Sequence, residues 1–393
     1  MNKLKLPRKF VIAALIYNLV ATVGYLIAPI QIRYIESLTT DPTTIALIYG
    51  VGTISLAALT LVTGYLADRG HRQKTIFFGL AVSVIYPLLY ASVMSAAQYA
   101  GIRFGWAVAI AATMPLLTGH IHDLVQDLPD TGRLFGILYA IGSITGAVAQ
   151  FAGGFIAEIS SLETTYVAAA LLALVNLVVA LFLFRDVQSS HQHTKKVAKT
   201  GFSFLFRTAE LRFYFVNNLI TSINFGMKYI LLPLIIFDLT RSDTLVGAIL
   251  AGLGVTAFFV LLSPNVWNWA DTYSPFSIYL LASTFLLAGS IIFGTADSVV
   301  WFWLAAPLFA LGESISGPAQ GVLINKHVPA KVRGRVLAAD DSIDTILITF
   351  SPILVAYLLS FYTAQGVFLV YGSLTLVTLT YSSYLYMFKL KQR

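Results

Sequence analysis

The sequence is a succession of long apolar runs separated by short polar punctuation, repeated from one end to the other. A helix rises about 1.5 Å per residue, so a run of roughly 20 crosses a hydrocarbon core of about 30 Å. Twelve such runs can be placed, at about 10–32, 43–66, 75–96, 98–120, 134–157, 164–184, 213–237, 244–264, 276–296, 299–324, 336–360 and 364–388. The alternating strands of about ten residues that build a membrane β-barrel are absent. With 58% hydrophobic residues, 11% charged residues and a mean hydropathy of +0.80, the chain is far from the soluble norm of about a quarter charged. It reads as an all-α integral membrane protein of about twelve transmembrane helices.

Charge placement sets the expected topology. Of 25 lysines and arginines, only Arg33 and Arg241 fall in one set of alternating loops, and only Arg103 and Lys228 fall inside predicted spans; the rest collect on the other side with both termini. Basic residues mark cytoplasmic loops, so both termini are expected inside a cell (plasma) membrane. The net charge of +7 is accounted for by this asymmetry, without a nucleic-acid partner. The basic start (Lys3, Lys5, Arg8, Lys9) leads into an apolar run as long as a full span, so the first helix is expected to stay rather than be cleaved. With no cysteine, neither disulfides nor thiolate metal sites are available.

The longest hydrophilic stretch, Arg185 to Arg212, divides the chain into near-equal halves. Residues 1–186 and 213–393 are expected to form two six-helix bundles joined by a cytoplasmic linker at 187–212, in which Phe202–Phe206 has the pattern of an interfacial segment. The halves echo each other at an offset of about 202 to 204 residues: Gly24-Tyr25 through Pro29 with Lys228-Tyr229 through Pro233, Gly50-Val-Gly52 with Gly252-Leu-Gly254, Ala67-Asp68 with Ala270-Asp271, and Gly132-Arg133 with Gly334-Arg335. Ordered echoes of this kind indicate a duplicated six-helix unit.

The loop after the second span, Gly64-Tyr-Leu-Ala-Asp68-Arg69-Gly70-His71-Arg72-Gln73-Lys74, resembles the signature loop of the major facilitator superfamily. Physically, a glycine permits close helix approach, an aspartate can face a helix N-terminus, and arginines can pair with carboxylates at the membrane face. The resemblance implies that Gly64, Asp68, Arg69 and Arg72 belong to a gate rather than a substrate site. The second copy keeps only Asp271. In the fifth span, Gly136, Gly142, Gly146, Gly153 and Gly154 resemble the glycine-rich motif of drug-exporting members, with Gln150 in place of its proline; plain helix packing explains them equally well. Arg103 in the fourth span resembles the arginine-led motif linked to proton coupling in that family, the alternative being an arginine that snorkels to the surface.

Charges within spans are the sharpest signal that owes nothing to the resemblance, because each ionised group at mid-bilayer costs at least about 2.5–3.5 kcal/mol on insertion scales. Lys228, Glu313, Asp340, Asp341 and Asp344 fall in or at the edges of spans. Asp341 and Asp344 share a helix face, and clustered carboxylates are the groups a carrier uses to load and release protons. Asp340 is read as an interfacial residue near Arg333 or Arg335, and Lys228 and Glu313 either take part in coupling or neutralise each other. Asn224 and Tyr25, together with Tyr17, Asn18, Gln31, Asn217 and Asn218, are candidate polar lining. His120-Ile-His122-Asp123 looks like a metal cluster, but imidazoles at i, i+2 on a helix diverge, so no metal or other cofactor is expected.

No nucleotide-binding loop and no familiar hydrolase motif occurs, so neither an ATP-driven pump nor an enzyme is expected. The expected function is secondary active transport by alternating access, as proton-coupled export of a small amphiphilic compound by a monomer. The alternatives are uptake of a polar metabolite, translocation of a lipid, and a non-transporting receptor or scaffold.

Overall fold

A computed structural model describes residues 7–125, 131–184, 209–263, 274–327, 343–344, 346–348 and 350–390. The chain divides into two compact units, Met1–Thr194 and Lys195–Arg393. The first contains α1 (Arg8–Leu38), α2 (Pro42–Leu66), α3 (Arg72–Tyr90), α4 (Ala96–Val125), α5 (Thr131–Ile159) and α6 (Leu162–Leu183). The second contains α7 (Ala209–Thr240), α8 (Asp243–Leu262), α9 (Pro275–Thr295), α10 (Val299–His327), the shorter α11 (Ile346–Leu358) and α12 (Ala364–Leu385). Among the described residues, 11 helices are long and apolar enough to cross a membrane. Of the expected eleventh span, about 336–360, the described residues show helical Ile343 and Asp344 and then α11.

Several helix starts are fixed by their own sequence. Asp41 accepts hydrogen bonds from the backbone of Thr43 and Thr44 ahead of Pro42, and Ser161, Ser242 and Thr363 cap α6, α8 and α12 in the same way. The Thr44 hydroxyl and amide hold the exposed Asp41 carboxyl below its ordinary range. α2 and α3 are joined by the π-helical turn Ala67–His71, in which Gly70 takes φ 85°, a left-handed conformation that suits only a residue without a side chain.

The same helix pairs pack in both units: α2 with α4 and α8 with α10, α3 with α6 and α9 with α12, α1 with α6 and α7 with α12. In the first unit the core runs through Ala13, Ile16, Ile76, Leu80, Leu117, Ile121 and Leu138. In the second, Phe213 meets Tyr279 edge to face at 5.9 Å, over Ala282 and Leu385. Outward faces carry exposed Leu61, Leu171, Phe182, Phe259 and Val377, a pattern that suits hydrocarbon rather than water as the surrounding solvent.

Glycines set the closest approaches. A Cβ on Gly153 of α5 would collide with the backbone carbonyl of Leu26 on α1, one on Gly146 would meet the Tyr25 ring at 2.8 Å, and one on Gly142 the Asn18 Oδ1 at 2.8 Å. The glycine-rich fifth span therefore packs against α1. In the second unit the places are exchanged: Gly226 on α7 is the small residue, and a Cβ there would meet Ser351 of α11 at 2.5 Å.

Candidate functional site

In the second unit the polar groups converge on α7. Its first half is a regular helix, and at Met227–Leu231 it widens into a π-helical turn before continuing. Such turns open the backbone ladder and commonly sit at functional positions. Beside this turn, Gly226 N–H donates to Ser351 Oγ at 2.8 Å, and the Ser351 hydroxyl donates to the Ile223 carbonyl. The turn itself carries Lys228, whose Nζ lies 3.0 Å from Glu313 Oε2 and 3.3 Å from Oε1 on α10. The Lys228 side chain is 17% exposed and that of Glu313 36%.

Two turns earlier on α7, Asn218 Nδ2 and Ser222 Oγ donate to Asp344 Oδ1 at 2.8 and 2.7 Å. Asn218 and Ser222 are spaced i, i+4 and so present one face. Asn217, on the neighbouring face, donates to Ser382 Oγ at 2.8 Å and accepts from Ser283 at 3.1 Å, tying α7 to α12 and α9. Asn224 is 1% exposed, and neither its Oδ1 nor its Nδ2 has a hydrogen-bond partner among the described residues. It lies one helical turn before Lys228.

In the first unit, Arg72 at the start of α3 donates to Asp123 Oδ2 of α4 at 2.6 Å. Arg69 is exposed and lies over the Tyr65 ring at 4.3 Å. Asp68 falls in the π-helical turn, but its side chain lies outside the described residues, as do Asp271, Asp340 and Asp341 entirely. The 185–208 segment, including Phe202–Phe206, lies outside them as well. Gly64 has nothing within 4 Å of the place a Cβ would take.

Arg103 overturns the snorkelling alternative. It is 3% exposed, eight residues into α4, with its guanidinium 4.2 Å from the Trp106 ring centroid and 5.0 Å from that of Tyr49. Gly52 on α2 makes the room: a Cβ there would meet Arg103 Nε at 2.8 Å. An apolar groove of about 220 Å³ opens between α1 and α5, with Asn18, Thr22 and Thr145 as its polar points. Among the described residues, no group of three metal-ligating side chains comes together.

The structure thus joins Lys228 to Glu313 and links Asp344 to α7, while Tyr25 serves to pack against Gly146. Sequence reading missed Asp123 as the partner of Arg72, because the two lie 51 residues apart on different helices. It also missed Ser222, which the i, i+4 spacing from Asn218 signals, and the aromatic surroundings of Arg103, for which no local pattern exists.

A sequence model described as Major Facilitator Superfamily matches residues 13–339 and, again, 214–391. No curated protein matches the chain. Among solved structures, the chain resembles the nucleoside transporter NupG (TM-score 0.75, 13% identity, covering 98% of this chain and 100% of that one). It also resembles the human organic anion transporter MFSD10 (TM-score 0.68, 15% identity, 96% and 100%). A third is a POT family transporter solved with a thioalcohol-conjugated peptide (TM-score 0.73, 14% identity, 98% of each chain).

Proposed function

The chain belongs to the major facilitator superfamily and is a transporter of that family, and we propose that it works by alternating access, coupling export of a small amphiphilic compound to protons. The observation that carries this reading is the Lys228–Glu313 pair at 3.0 Å on the widened turn of α7, with the Glu313 side chain only partly buried. A proton arriving at Glu313 neutralises the carboxylate and frees Lys228, so that the pair has two arrangements which a change in cavity access can favour in turn. Asp344, held by Asn218 and Ser222, is the second carboxylate able to carry a proton. The apolar groove between α1 and α5, with its few polar points, supports an amphiphilic cargo.

A second reading, uptake of a polar metabolite, is favoured by Asn224, whose amide leaves a donor and an acceptor unused among the described residues, beside the charge pair. Both readings place the chain in the plasma membrane as a monomer, with termini and linker cytoplasmic, which reporter fusions at each terminus test directly.

Reconstitution into proteoliposomes with an imposed pH gradient decides the coupling. A panel of lipophilic cations, nucleosides, peptides, sugars and lipids identifies the cargo class. Accumulation that follows the pH gradient supports the proposal; transport indifferent to that gradient refutes proton coupling.

A further inference from the structure

The first unit holds a buried cluster rich in hydrogen-bond donors. Arg103, Tyr49 and Tyr90 are 3%, 3% and 1% exposed; among the described residues Arg103 Nε and Tyr49 Oη have no hydrogen-bond partner, and the Tyr90 hydroxyl faces the Arg103 guanidinium. The three belong to one neighbourhood. Tyr49 and Tyr90 lie within the electrostatic reach of the Arg103 guanidinium, as do Tyr86 and Tyr99. The surrounding rings are closed around them: Tyr90 stacks on Tyr99 at 4.3 Å, and Tyr34 and Tyr166 cross edge to face at 5.1 Å.

Other polar atoms in the cluster are already engaged. Tyr34 donates to the Tyr90 carbonyl at 2.9 Å, Tyr99 and Tyr166 share a hydrogen bond at 3.1 Å, and Gln31 reaches Tyr99 at 3.4 Å. Among the described residues Arg103 makes no ion pair. The carboxylates that act on the cluster electrostatically, Glu36 on Tyr49 and Glu163 on Tyr34, are both exposed.

Orphaned buried polar groups are rare, and two in one place require a partner. Here the chemistry of that partner is constrained. Arg103 can only donate and always carries its positive charge, and both hydroxyls have a hydrogen to give. Cation–π contact with Tyr49 and Trp106 balances part of the charge but accepts no hydrogen bond along the guanidinium edge. A neutral water can accept from these donors, but it leaves the guanidinium charge uncompensated. We propose that Arg103, Tyr49 and Tyr90 form a binding site for a small anionic group in the N-terminal unit. The group is either a resident inorganic anion such as chloride or the carboxylate of a transported acid.

The test is the thermal unfolding of the full-length protein in detergent, titrated at constant ionic strength with chloride or acetate in place of the bulky sulfonate MES. A saturable rise in Tm is expected with at least one of them. Chloride alone identifies a resident inorganic anion, and acetate, with or without chloride, identifies a carboxylate subsite. Arg103→Gln should remove the rise.

Tyr49→Phe and Tyr90→Phe keep the fold if Arg103→Gln does not, and they give a test by sign. Deleting a hydroxyl that is truly unpaired is neutral or stabilising, whereas deleting one that holds an anion lowers Tm in the active salt and weakens apparent anion affinity about tenfold. A wild-type Tm indifferent to both anions, with the phenylalanine variants as stable as wild type or more so, overturns the proposal.

Discussion

Lys228 and Glu313 stand 85 residues apart in the sequence and 3.0 Å apart in space, joining the widened turn of α7 to the middle of α10. Two charges in a membrane domain that meet in this way depend on each other. Lys228→Met or Glu313→Gln should each lower the free energy of unfolding by about 1–3 kcal/mol, less than a fully buried pair because the Glu313 side chain is 36% exposed. The double variant Lys228→Met with Glu313→Gln should recover much of that loss. Strictly additive effects in the double-mutant cycle would show that the two do not interact.

Proton coupling predicts a separation of two activities. Asp344→Asn or Glu313→Gln mimics the protonated form at constant size, so gradient-driven accumulation should vanish while exchange between equal pools persists. If both variants, singly and together, still accumulate substrate, the carboxylates are structural.

The contact between Arg72 and Asp123 at 2.6 Å fixes the start of α3 against the end of α4, next to the turn that carries Asp68. Arg72→Ala and Asp68→Asn are expected to slow turnover roughly tenfold while leaving substrate affinity within a few-fold, because a gate biases populations without touching cargo. Exchanging the charges, with Arg72→Asp and Asp123→Arg together, should restore part of the rate. Turnover unchanged in all three would remove this loop from gating.

Glycine substitutions should sort by geometry. Gly153→Ala forces α5 away from the Leu26 carbonyl, and Gly70→Ala strains a backbone at φ 85°, so both should reduce folded yield. Gly64→Ala meets open space and should be as stable as wild type, as read by fluorescence-detected size exclusion.

The Asp41 cap gives a pH prediction outside the membrane. Its carboxyl titrates below the unfolded value, so the stabilisation is fully present above the ordinary carboxylate range and fades as pH falls through the lower, folded value. Hydrogen exchange at the Thr43 and Thr44 amides should accelerate in that acid window in wild type. In Asp41→Ala those amides should exchange fast at every pH; no difference between the two proteins would refute the cap.

Helix number and most span positions were legible because hydrocarbon imposes a length on every crossing segment, and the apolar runs in this chain are uninterrupted. The charged residues were legible as anomalies for the same reason. Their partners were not: nothing near Asp344 announces Asn218 and Ser222, which lie 126 and 122 residues earlier. The aromatic enclosure of Arg103 draws rings from α1, α2, α3, α4 and α6, so it exists only after folding. Asp123 was readable as a charge, but nothing local pairs it with Arg72, 51 residues earlier.

The π-helical turn at Met227–Leu231 also makes α7 a helix with one residue to spare. α1, which holds the corresponding place in the other unit, runs through without such a turn. Excising a single residue inside the turn would let it relax to regular pitch with both flanks still in phase. The same excision elsewhere in α7 would rotate everything beyond it by about 100° and carry the polar face away from its partners. A deletion scan along α7 would therefore find its tolerant stretch at Met227–Leu231, the stretch that carries Lys228.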